Sequence, residues 1–183
     1  MKKIYTAVLI FTSIFLVSAC HQNVVSQADL ITASETTTTE TITAAAKEAT
    51  PLIDRISVTL GDTWTLYSKD AATIRYVTDD NSTIYITVDT SENCSNIDDF
   101  VEKVKVSYKD LFPDAIFQTS ETLSDDSRSL KFELTHEDVR LRYLGGYFLN
   151  DGNVYTVLCG TTTEKFTQKA PEYREILKSV VIK

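Results

Sequence analysis

Leu130-Lys131-Phe132-Glu133-Leu134, a turn at Thr135-His136-Glu137-Asp138, then Val139-Arg140-Leu141-Arg142-Tyr143: along this stretch the hydropathy changes at every residue. A period of two points Leu130, Phe132 and Leu134 one way and Lys131 and Glu133 the other. Val139, Leu141 and Tyr143 repeat the pattern against Arg140 and Arg142. Two such runs joined by a tight polar turn pair antiparallel. Downstream, Asn150-Asp151-Gly152-Asn153 is a strong hairpin turn leading into a further strand, Val154 to Thr161. Gly145-Gly146 predicts a bend or bulge in the long strand before it. This is a meander.

Upstream the same period appears in Ile56-Ser57-Val58-Thr59-Leu60, which Gly61-Asp62 turns toward Trp64-Thr65-Leu66. Thr73 to Val77 and Thr83 to Val88 read as two more strands, joined by Asp79-Asp80-Asn81-Ser82, whose side chains favour turns. Between the two strand groups lies an amphipathic helix. Ile97, Phe100, Val101, Val104, Tyr108 and Leu111 recur at three- and four-residue steps, and Glu102, Lys103, Lys105 and Lys109 face away. Ser95 or Asn96 can cap it, and Pro113 ends it. Ala115 to Leu123 reads as one strand, turned by Ser124-Asp125-Asp126-Ser127 into the meander. A last helix is predicted to start near Pro171, a favoured first-turn residue, with Tyr173, Ile176, Leu177 and Val180 inward. Strands, helix, meander, helix: the fold class is α+β, an antiparallel sheet with helices packed on it.

An opening strand ending in Gly61-x-x-Trp64, a central helix, a meander and a closing Ile176-Leu177-Lys178-Ser179-Val180-Val181-Ile182 resemble the PsbP/DcrB-like superfamily. Gly61 stands where that family usually has Pro, and Val180 where it has Phe. The resemblance covers residues 51–183 and implies an α-β-α sandwich, common in lipid-anchored bacterial proteins. It implies no activity, because relatives include scaffold and assembly factors, and no site residue carries over.

Residues 1–19 and 20–50 differ in kind. Met1-Lys2-Lys3-Ile4 precedes an apolar run from Tyr5 to Val17. That run is too short for a stable span of about 20 residues and fits a signal-peptide core. The lysines hold the amino end on the cytoplasmic side. Val17-Ser18-Ala19-Cys20 resembles the bacterial lipobox, whose Cys is diacylated and becomes residue one after cleavage. An ordinary secretory signal that contains a Cys is the alternative. From His21 to Thr50 there is no aromatic residue, and Thr36-Thr37-Thr38-Thr39 is low in complexity. This predicts a disordered tether, reaching about 30 Å if flexible. An O-glycosylated stalk also fits the threonines.

Residues 51–183 hold 22 acidic and 15 basic side chains, within a chain of net charge −8. An acidic domain repels phosphate backbones, so nucleic acid is not an expected partner.

Little in the domain points to chemistry. His136 is its only histidine and, with Glu137 and Asp138, could ligate a metal or form an acid–base pair. Adjacent residues on a tight turn rarely converge, and a solvated turn is the plainer reading. The acidic turns at Asp79-Asp80-Asn81, Asp125-Asp126 and Asn150-Asp151-Gly152-Asn153 lack the EF-hand pattern for calcium. Lys131, Arg140 and Arg142 share one sheet face, either as a contact for an anionic partner or as a cross-strand-paired surface. Tyr76, Tyr85, Tyr143, Tyr147 and Tyr155 read first as core and second as a ligand groove. With Cys20 lipidated, Cys94 and Cys159 remain as an even pair in an oxidising compartment. They are expected either to form a structural disulfide or to stay separate as small buried hydrophobes.

The function reading is a lipid-anchored extracytoplasmic binding or assembly module. It holds membrane lipid through acylated Cys20, meets an envelope protein partner and needs no cofactor. The alternative is an envelope hydrolase or metal-dependent enzyme using His136 and nearby carboxylates. That reading requires a second polar group within hydrogen-bond reach of His136.

Overall fold

The structure, a computed structural model, describes residues 51–90 and 96–183. The expected signal peptide and tether, Cys20 and Cys94 lie outside the described residues. A 3-10 turn at Leu52–Arg55 leads into β1 (Ile56–Ser57), β2 (Thr65–Lys69), β3 (Thr73–Val77) and β4 (Thr83–Thr90). Then come α1 (Ile97–Leu111), β5 (Ile116–Phe117), β6 (Glu121–Ser124), β7 (Ser127–His136), β8 (Val139–Asn150), β9 (Asn153–Thr162), α2 (Thr163–Lys178) and β10 (Val181–Ile182). One sheet runs β2-β3-β4-β9-β8-β7-β5, with β6 also on β7, and every pairing is antiparallel. Short turns make the two hairpin groups. The β4–β9 pairing, eight residues in register from Thr83↔Gly160 to Thr90↔Asn153, joins them across the helix.

The strand period sends alternate residues to two faces, and each face takes one helix. On one face Ile74, Ile84, Ile86, Leu144, Tyr155, Val157 and Cys159 meet Phe166, Ala170, Tyr173, Ile176 and Leu177 of α2, with Ile53, Ile56 and Trp64 closing the edge. On the other, Phe132 stands 4.8 Å from the Tyr108 ring of α1 and Tyr147 6.1 Å from Phe100. The α-β-α arrangement implied by the resemblance is present. The cap of α1 is Asn96, whose Oδ1 accepts the Asp99 amide at 2.9 Å.

Several boundaries differ from the sequence reading, each for a packing reason. The burial of residues 56–60 does alternate, but only Ile56–Ser57 forms a ladder, with β10 rather than the main sheet. The strand expected from Ala115 to Leu123 is two short strands that pair with different parts of β7. Leu111, expected inward, is exposed, and Phe112 takes the buried position.

The closing helix starts at Thr163, eight residues before Pro171, which sits inside it. Burying Phe166, Tyr173, Ile176 and Leu177 contributes about 1.5–3 kcal/mol each. That outweighs the roughly 3 kcal/mol a mid-helix proline costs. Gly145-Gly146 makes no bulge, for β8 stays in continuous register with both neighbours. The missing side chain serves contact instead: a Cβ on Gly146 would stand 2.8 Å from Leu177 Cδ2.

Candidate functional site

His136 ends β7 and pairs with Val139, leaving Glu137 and Asp138 as the two central turn residues, with φ of 48° and 65°. That left-handed pair is the hairpin geometry of a two-residue turn, and it leaves both carboxylates exposed. The imidazole packs edge-on against Phe112, 6.0 Å between centroids. Among the described residues no three His, Cys, Asp or Glu side chains gather to hold a metal ion.

The acidic turns are engaged in holding the chain. Asp80 Oδ1 accepts from the Thr78 hydroxyl at 2.5 Å and the Ser82 amide at 3.0 Å. Burial pushes its carboxyl up, but these bonds and the nearby Lys169 ammonium outweigh it and hold the pKa at about 2. Lys165 donates to the Asp80 carbonyl at 2.7 Å, so the β3–β4 turn is pinned to α2. Lys169 continues the network to Glu172 at 3.4 Å, and Glu172 Oε1 accepts from Trp64 Nε1 at 2.7 Å. Arg128 forks onto Asp98 at 2.7 and 2.8 Å and donates to the carbonyls of Ser124 and Asp125.

Cys159 is a free thiol with no exposed surface, in the apolar layer under α2. Its register partner is Ile84, while Cys94 follows Thr90, six residues further along β4, and lies outside the described residues. Cys159 is a buried core residue, and its expected pairing with Cys94 lies outside the described residues. Tyr155 belongs to the same layer, and Tyr76 packs partly buried against it. Tyr85, Tyr143 and Tyr147 are buried on the α1 face. Burial pushes the Tyr143 and Tyr147 phenols well above their ordinary range, so both are neutral packing groups.

The group that does come together is the charged one. Lys131 and Glu133 on β7 lie on the α2 face beside Arg140 and Arg142 on β8, because Glu133 pairs with Arg142 and Thr135 with Arg140. Glu133 lies between the two arginines: Arg140 Nε donates to its Oε2 at 3.1 Å, and Arg142 Nη2 to its Oε1. Arg142 also lies over Phe166, 5.5 Å from the ring centroid, while its buried Nε has no hydrogen-bond partner among the described residues. Helix α2 covers β8 and β9 but leaves this side of the sheet open. There, a shallow hollow is lined by Ile116, Gln118, Lys131, Phe132, Glu133 and Arg142. The basic face was legible in the alternation of β7 and β8. Glu133 as its bridge, and Ile116 and Gln118 as its rim, were not, because they depend on cross-strand register.

No family model matches the chain, and no curated protein matches it. Solved structures do. CyanoP, the cyanobacterial PsbP of Synechocystis, is similar with a TM-score of 0.56 and 11% identity, over 71% of this chain and 88% of that one. PA94, a protein of unknown function from Pseudomonas aeruginosa, gives 0.52 and 13% over 70% and 83%. LpqN of Mycobacterium tuberculosis, involved in cell envelope biogenesis, gives 0.49 and 14% over 69% and 82%. The fold is PsbP-like.

Proposed function

We propose that this chain is a lipid-anchored binding module of the bacterial envelope, held by Cys20 on the extracytoplasmic face of the cytoplasmic membrane. The lipobox-like Val17-Ser18-Ala19-Cys20 and the Thr-rich tether support the address. Two acyl chains, at about 0.8 kcal/mol per buried methylene, anchor stably. Among the described residues no helix is long and apolar enough to cross a membrane.

The observation that carries the binding role is the Arg140–Glu133–Arg142 group. It stands on rigid strands, beside an open hollow, on the side of the sheet that α2 leaves uncovered. Charged groups fixed on strands recognise a partner with little loss of side-chain freedom. Photo-crosslinking in intact cells tests this reading. A photoreactive residue in place of Gln118 is expected to give a discrete adduct, and one in place of Val106, exposed on α1, is expected to give none. Equal labelling from both positions contradicts it.

A further inference from the structure

Residues 51–60 cover the sheet where α2 does not. Helix α2 lies on β8 and β9, and the apolar side of β3 and β4, with Ile74, Ile84 and Ile86, continues the same layer beyond it. There the Leu52–Arg55 turn packs on β4. Ile53 and Ile56 are 1% and 5% exposed in that layer, and Val58 and Leu60 lie half-buried against it. An irregular segment takes the place a helix would have.

What holds this segment lies mostly at the end of the chain. Its one ladder pairs Ile56–Ser57 with Val181–Ile182, in a two-stranded sheet separate from the main one. The Lys183 amide donates to the Arg55 carbonyl at 3.0 Å, and the Thr59 amide to Ser179 Oγ at 2.9 Å. Ser179 Oγ in turn donates to the Ile176 carbonyl at 2.8 Å, so the same hydroxyl ties the segment to the end of α2. Among the described residues its other polar tie is the half-exposed pair of Asp54 with Lys69, at 2.6 Å. After Leu60, residues 61–63 form an exposed turn, and a Cβ on Gly61 would touch nothing. Past that turn Trp64 is fixed to the body through Glu172.

We infer that residues 51–60 form a lid that swings as a unit about residues 61–63. Residues 179–183 are its latch, and its opening uncovers the apolar side of β3 and β4 while the main sheet stays folded. Segments joined by short ladders and exposed hydrogen bonds open below the cost of global unfolding. A few turn residues suffice to absorb such a swing. The chain enters the domain at Pro51, so a pull on the residues before it falls on the lid first.

Iodoacetamide labelling of the full chain in detergent micelles tests this, with thiols kept reduced and each site read by peptide mass spectrometry. The thiol introduced by Ile53→Cys reports on the lid, and Cys159, buried in the same layer but on β9, reports on the sheet. Under native conditions the introduced thiol is expected to label at least about tenfold faster than Cys159. Removing residues 181–183 is expected to speed it about tenfold further and to leave Cys159 unchanged. Ile56→Cys replaces Ile53→Cys if that variant does not fold, and Ser179→Ala replaces the truncation on the same ground. Labelling of both thiols at one rate overturns the inference, because only global unfolding then reaches the lid. A broken latch that speeds both thiols equally, or speeds neither, overturns it as well.

Discussion

Asp80 shows how much of this molecule is held by single side chains that look ordinary in the sequence. Its folded pKa, about 2, lies below the value of an unfolded aspartate. The stability it contributes is therefore present above about pH 4 and lost as the pH falls toward 2. The side chain is 37% exposed, so solvent screening leaves about 1 kcal/mol of the shift. Asp80→Asn is expected to lower the unfolding free energy from urea titration by that amount at pH 7 and by almost nothing near pH 2. Gly160 is a second case. A Cβ there would collide with the Tyr143 ring, which is 3% exposed and cannot swing out. Gly160→Ala should cost about 1–3 kcal/mol in thermal unfolding, and adding Tyr143→Leu should recover part of it. Asp80 was legible as a turn residue, because Asp-Asp-Asn-Ser is turn chemistry. Gly160 was not, because its constraint comes from the strand beside it.

Elements were read well where one face is buried and one is wet. The meander and α1 have that pattern, and their limits came out within a residue or two. Reading failed where tertiary contact overrides local preference. Pro171 looked like a helix start and lies in mid-helix, because the Phe166–Ala170–Tyr173 stripe binds the preceding turns to the sheet. Pro171 is exposed, so Pro171→Ala restores an amide donor without disturbing the core. Circular dichroism melts should show the variant more stable by about 1 kcal/mol or more. An unchanged melting temperature would mean the helix has already relaxed around the missing bond. The break between β5 and β6 has the same origin: β7 offers two separate pairing stretches, which local sequence does not encode.

At the scale of the whole molecule, strand order was the least legible feature. Local patterns define hairpins, but that β4 lies beside β9 follows only from packing two amphipathic groups around two helices. This order puts Cys159 at the centre of the sheet. Burial pushes its thiol far up, with the Glu172 carboxylate adding to the effect. Iodoacetamide is therefore expected to label Cys159 only after denaturation, without need of a reductant. Labelling that requires reduction would reveal a bridge.

The site follows the same division. Its cations were visible along β7 and β8, while its bridging carboxylate and apolar rim required the fold. The central claim, a PsbP-like binding domain tethered by lipid outside the cytoplasmic membrane, is tested most directly by mass spectrometry of the mature amino terminus. A membrane-fraction protein whose first residue is a diacylated Cys20 is expected, with Cys20→Ala an uncleaved precursor or a released domain. An unmodified Cys20, or membrane retention and lipid labelling unchanged in Cys20→Ala, would contradict it.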